Sequence, residues 1–292
     1  MKELILILAL LLTCFAAGAT DYRFLSAKTG KELPLAKLAA KLNKFDIVFF
    51  GEYHDDAAIH AAQRDLLQAL RAKDPRLALS FEMFERDVQP RLDAYLRGEI
   101  AEEAFLADSR PWPNYATDYR PLVEFAKTNG LACVAANVPR RLAGKVARSG
   151  LDSVAELAEG ERVLAALTVN AQPGRYRDNF LQTMDALGDH GGMGDGAMLE
   201  NMYAAQCLKD DTMAESLLQY RELHPKHTIL HFNGDFHSRE FLGTVERVKL
   251  RDRKVKMAVI SPLREGEDFP QEAGKIADYF VVVPAPAAGE GE

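Results

Sequence analysis

Cysteine is scarce, with three residues in 292, at positions 14, 133 and 207. That excludes a disulfide-stapled scaffold and, with no pair at metal-ligand spacing, a structural zinc site. Positive charge is in deficit, 36 Lys and Arg against 43 Asp and Glu for a net charge of −7. No global field therefore draws the chain onto nucleic acid or an anionic membrane surface. The one dense basic run, Arg247-Val248-Lys249-Leu250-Arg251-Asp252-Arg253-Lys254, reads as a solvated hairpin or loop. Long apolar runs are missing too. The longest, Leu4 to Leu12, falls well short of the about 20 residues that cross a bilayer. No repeat of solenoid length is present, and low-complexity sequence is confined to Pro284-Ala285-Pro286-Ala287-Ala288-Gly289, in a tail (285–292) expected to be disordered.

What that apolar run suits is an export leader. Lys2 supplies a positive start, Leu4 to Leu12 the apolar core, and Ala17-Gly18-Ala19 the small-x-small cleavage site, giving a signal peptide over 1–19 and a mature start at Thr20. Leu11-Leu12-Thr13-Cys14 offers a second processing site, a lipobox in which 1–13 is removed and Cys14 is acylated. The expectation is an exported chain, in the periplasm or as a cell-envelope lipoprotein, touching membrane only through that anchor. Cys133 and Cys207 read as small buried hydrophobes, in a strand and a helix.

The remaining sequence, in a chain 48% hydrophobic and 27% charged, has globular composition. Unbroken apolar runs at Ile47–Phe50, Leu77–Phe81, Leu131–Ala136, Thr228–Phe232, Met257–Ile260 and Tyr279–Val283 predict strands buried on both faces, as in a parallel sheet. Ala57–Arg71 predicts a helix, with Ile59, Ala62, Leu66 and Leu70 on one face after Asp55 and Asp56 as caps. From Arg140 to His224 only helical stretches occur, Ala197–Arg221 being the clearest. The fold class is α/β, a mainly parallel β-sheet flanked by helices (20–139 and 225–284) with a small inserted all-helical subdomain (140–224).

One pattern rises above composition. Gly51-Glu52-Tyr53-His54 and Gly234-Asp235-Phe236-His237 both read Gly–acid–aromatic–His, and each ends a predicted strand. Ligands of open parallel sheets bind outside the carboxyl ends of the strands, where Glu82 and Asn137 are also expected. Glu52, His54, Glu82 and His237 together suit a divalent metal (Mn, Co or Zn) or a general acid–base pair, with His60 behind them. Individually each reads as a strand-end polar residue satisfying nearby backbone groups. A second candidate is the glycine loop His190-Gly191-Gly192-Met193 with Met198, Met202 and Tyr203 after it. That stripe suits a large flat ligand or, more blandly, core.

Gly51-Glu52-x-His54 with His60 and Gln63, Phe81-Glu82-Met83-Phe84, Trp112 with Tyr119-x-Pro121, Asn137-x-Pro139-Arg140, Ala205-Gln206-x-x-x-Asp210 and Gly234-x-x-His237 resemble, in order, the ChaN family of haem-binding uptake proteins. The resemblance implies an exported protein of haem and iron uptake that binds ferric haem between two subunits of a homodimer. A tyrosine of one subunit would hold the iron, and a histidine and lysine of the other the propionates. On this chain it points to Tyr203 as iron ligand, with Tyr176 between Arg175 and Arg177 as rival, and to His190 and Lys209 at the propionates. It also implies an outer-membrane haem receptor as partner. The wider Tiki superfamily, with metalloproteases and erythromycin-esterase-like enzymes, implies an alternative: a metal-dependent hydrolase using Glu52, His54, Glu82 and His237.

Overall fold

The computed structural model describes residues 21–186 and 196–285. The expected leader with Cys14, His190 with its glycine loop, and the tail from 286 lie outside the described residues.

Six of the seven strands are the apolar runs: β2 (Ile47–Glu52), β3 (Leu77–Glu85), β4 (Cys133–Asn137), β5 (Thr228–Gly234), β6 (Met257–Arg264) and β7 (Tyr279–Val283). The seventh, β1 (Arg23–Ser26), was not among the sequence expectations. It is four residues long, holds only Phe24 and Leu25 as apolar residues, and pairs antiparallel with β7 at the sheet edge. The order is β1-β7-β6-β2-β5-β3-β4, and every pairing but β1–β7 is parallel. The fold class expected from the runs is the one found.

Helices cover both faces. On one side lie α1 (Leu35–Leu42), α2 (Ala57–Arg71), α3 (Gln89–Leu96), α4 (Glu102–Ser109) and α5 (Arg120–Asn129), all contributing to one core with Val48, Phe50, Leu79 and Phe232. The α2 start is set by Asp56, whose carboxylate accepts from the N–H groups of Ala58 and Ile59, both at 3.0 Å. Between β4 and β5 the described chain is helical: α6 (Arg140–Ser149), α7 (Glu159–Arg162), α8 (Arg175–Ala186) and α9 (Gly196–Leu223). The long α9 changes partners along its length. Ala204, Ala205 and Leu208 pack with α6, whereas Met213 meets Val134 and Ala136, and Ala214 and Leu217 meet Ile47, Phe49 and Ile229 of the sheet. Apolar residues therefore appear around its circumference rather than on one stripe.

The last helix, α10 (Gly243–Arg251), corrects the reading of the basic run as a solvated loop. Arg247 is buried in it and faces Asp211 at 3.5 Å, while Arg251 pairs with the same carboxylate at 2.7 Å. Two cations of the run are thus structural ion-pair partners inside the helical layer, whereas Lys249, Arg253 and Lys254 are exposed.

Candidate functional site

β2 and β5 lie side by side in register, with Gly51 opposite Asn233 and Glu52 opposite Gly234. This register brings the two Gly–acid–aromatic–His segments to one point at the carboxyl edge of the sheet. Gly51 is required there, because a Cβ on it would stand 3.1 Å from the Asp235 Cα of the neighbouring segment.

Glu52, the last residue of β2, is buried. Its Oε1 accepts from the Tyr119 hydroxyl at 2.6 Å and faces His54 Nδ1 at 2.9 Å, and its Oε2 accepts from Gln63 Nε2 at 2.6 Å. Tyr119 comes from a π-helical turn, Tyr115–Tyr119, that precedes α5. Such a turn offsets a side chain from the regular helical face, a geometry frequent at functional sites. Asn114, just before it, donates to the His54 carbonyl at 2.8 Å. His60 sits between Gln63 Oε1 and the same carbonyl, 2.9 Å from each, so it supports the pair from behind.

The second pair is built on a bulge in β3, where the register against β4 shifts between Phe81 and Glu85. Glu82, inside it, accepts from the Gly234 N–H at 2.7 Å and faces His237 Nε2 at 3.2 Å. Asn137 Nδ2 holds the bulge by donating to the Glu82 carbonyl at 3.0 Å. On its other side His237 Nδ1 meets Asp210 Oδ1 at 2.7 Å. Asp210 also accepts from Thr244 Oγ1 at 2.8 Å and from the Tyr176 hydroxyl at 2.5 Å. Burial works against a charged imidazole, but Glu82 and Asp210 outweigh it and push the His237 pKa up to about 10. Burial likewise opposes ionisation of Glu82, yet the His237 charge holds it far below the ordinary carboxylate range. For His54, burial is again outweighed, here by the Glu52 hydrogen bond and the Glu82 charge, and its pKa rises.

The two pairs meet at Gly234, where a Cβ would lie 2.8 Å from His54 Nε2 and 3.6 Å from Glu82 Oε2. All four residues expected at the strand ends are therefore brought together. They form two carboxylate–imidazole pairs, and among the described residues no group of three or more His, Cys, Asp and Glu side chains is arranged to hold a metal ion. Sequence reading passed over the roles of Tyr119 and Asp210. The signal for Asp210 was its spacing from Gln206, four residues and one helical turn apart, since Gln206 Nε2 also reaches His237 at 3.2 Å.

Above this floor opens a cavity of about 910 Å³. Its apolar walls are Trp112, with its ring centroid 4.8 Å from that of His54, Phe236, and Phe180 and Met184 of α8. Lys209 and Arg140 also line it, and neither has an ion-pair partner among the described residues.

The residues expected at a haem are divided. Lys209 lines the cavity. Tyr203 does not: only 2% exposed, it packs against Tyr176 and Phe180, and its hydroxyl donates to the Gln172 carbonyl at 3.0 Å. Tyr176, 4% exposed, lies directly behind the wall, its ring centroid 5.0 Å from that of Phe236 and its hydroxyl on Asp210. Arg175 and Arg177 are engaged by Glu240 and Glu200. His190 lies outside the described residues. Cys133 and Cys207 are both buried free thiols.

A family model described as haem-binding uptake, Tiki superfamily, ChaN matches residues 38–248. A solved structure described as "Cofacial heme binding to ChaN of Campylobacter jejuni" shares the fold, with a TM-score of 0.67 at 16% identity over 90% of this chain and 97% of that chain. More loosely similar is an erythromycin esterase mutant in its open conformation, with a TM-score of 0.49 at 14% identity over 90% of this chain and 82% of that one. No curated protein sequence matches the chain.

Proposed function

Because the chain belongs to the ChaN family of haem-binding uptake proteins, within the Tiki superfamily, we propose that it carries ferric haem in the cavity at the carboxyl edge of its sheet. The observation that carries this placement is the pairing of apolar walls with two cations that have no ion-pair partner among the described residues. Trp112, Phe180, Met184 and Phe236 would hold the porphyrin faces, and Arg140 and Lys209 the two propionates. The volume, about 910 Å³, lies at the upper end of small-molecule cavities. Haem is cargo here, an iron source rather than a resident catalyst. Tyr176 would ligate the iron in preference to Tyr203, because its hydroxyl faces a carboxylate able to take the phenol proton, whereas that of Tyr203 faces a carbonyl. The Campylobacter jejuni relative binds haem cofacially, and on that model two copies of this chain pair when loaded, each presenting one haem. The leader over 1–19 would deliver the chain to the periplasm, or to the envelope as a lipoprotein if Cys14 is acylated.

The test is an absorption titration of residues 20–292 with ferric hemin. The expected result is a saturable Soret shift with a tyrosinate charge-transfer band. Replacing Arg140 or Lys209 by Ala should weaken binding about 10- to 100-fold, as loss of one charge-assisted contact of about 1.5–3 kcal/mol implies. A spectrum that remains the sum of protein and free hemin sinks the proposal.

A second reading, hydrolysis, is favoured by one observation. His54 is fixed at Nδ1 by Glu52, which leaves Nε2 as the atom available at the cavity floor for general base work. Both oxygens of Glu52 are already engaged, which suits acid–base chemistry better than the Mn, Co or Zn site expected from the residue types. Elemental analysis after dialysis against each ion should find no stoichiometric metal, and turnover of an activated ester should vanish in His54→Ala. Bound metal at one equivalent, lost in that variant, reverses the preference.

A further inference from the structure

A second cavity, of about 480 Å³, opens beside α10 at the opposite, amino-terminal edge of the parallel strands. Its floor is apolar: Phe45 before β2, Val255 just before β6 and Met257 at its start, Phe241 in the turn that precedes α10, and Val245 on α10. Its rim is wholly cationic, formed by Lys249, Arg253, Lys254 and Lys256, with no carboxylate lining it. Lys249 Nζ donates to the Arg253 carbonyl at 2.9 Å, and the other three side chains have no ion-pair partner among the described residues. The carboxylates of the adjoining turns are occupied. Asp46 holds Arg221 at 3.3 Å and the Lys256 N–H at 2.8 Å, and Asp252 holds the Lys254 N–H at 2.8 Å.

Four like charges around a hydrophobic floor repel one another, on a chain whose net charge is −7, and an anionic occupant relieves that repulsion. The floor adds a demand that a simple anion does not meet, a side chain to fill it. We propose that this groove docks an acidic peptide segment of a partner protein, its carboxylates on the rim and an aromatic or aliphatic residue on the floor. Arg23 pairs with Val282 at the carboxyl end of β7, so β1 begins at the cavity edge of the sheet and the groove lies at the opposite edge.

The probe is a fluorescein-labelled octapeptide of Glu and Asp around one Phe and one Leu, followed by anisotropy with residues 20–292. Saturable binding is expected, at least tenfold weaker with Lys254→Glu/Lys256→Glu and with the milder Lys254→Gln/Lys256→Gln, whose unfolding midpoints should match the parent. Replacing Phe and Leu of the peptide by Ser should weaken it comparably. No anisotropy change up to millimolar protein, equal binding of the Ser peptide, equal binding by both double variants, or tighter binding to phosphatidylglycerol vesicles each overturns the proposal.

Discussion

His237→Ala lowers the stability of the chain by about 3–5 kcal/mol at pH 7, the loss typical when one partner of a buried ion pair is removed. The cause is the pair of carboxylates left behind. Glu82 and Asp210 flank the imidazole at 3.2 and 2.7 Å and are both buried, so the variant confines two uncompensated negative charges. The pH dependence separates this electrostatic loss from mere loss of packing. In the parent, the folded-state pKa of His237 is raised from 6.5 to about 10, so its contribution is complete below pH 6.5 and disappears as the pH rises through about 10. The Glu82 value is depressed from 4.5, so its contribution is present above that pH and is lost as the pH falls through the folded-state value. The stability difference between parent and variant should therefore be largest near neutrality and shrink at both extremes, toward acid because the stranded carboxylates of the variant protonate. Urea unfolding of both proteins from pH 4 to 10 measures it. A difference constant across that range would show that the imidazole matters only as packed volume.

That network also shows where sequence reading reaches its limit. The central strands were legible because burial on both faces writes itself as an unbroken apolar run, as in Ile47–Phe50 or Thr228–Phe232. The edge strand was not, since Arg23-Phe24-Leu25-Ser26 buries few side chains and owes its existence to pairing with β7. The strand-end residues were legible because two copies of one pattern stood at two strand ends, and adjacency of β2 and β5 then set them side by side. What could not be read is which carboxylate serves which imidazole. Glu52 serves His54 two residues on, a local contact. Glu82 serves His237 across 155 positions of chain, through a bulge that no local pattern announces. The stripe containing Tyr203 was open for a related reason: helical spacing puts it on a face, but whether that face meets solvent or α8 depends on tertiary packing.

Asp210 joins the stable floor of the site to its proposed ligand chemistry. It takes His237 on one oxygen and the Tyr176 hydroxyl on the other. Burial, then the Asp210 charge, keep that phenol protonated well beyond its ordinary range. With ferric haem bound, Tyr176 would be held as the phenolate, and Asp210, already hydrogen-bonded to its hydroxyl, would accept the phenol proton. Tyr176→Phe is accordingly expected to abolish the charge-transfer band in the hemin titration. Tyr203→Phe should leave that band unchanged, since its hydroxyl donates to the Gln172 carbonyl and has, among the described residues, no carboxylate beside it to take its proton. Asp210→Asn keeps the phenol but removes its proton acceptor, and should weaken hemin binding about 10- to 100-fold, the usual effect of losing a group that orients a metal ligand. The three absorption titrations, run beside the parent, distinguish the alternatives. A band lost in Tyr203→Phe and retained in Tyr176→Phe would move the ligand to the deeper tyrosine and require α8 to lift from α9 on loading. Retention in both would leave haem in the cavity without a tyrosine on its iron, and the proton-acceptor role of Asp210 would fall with it.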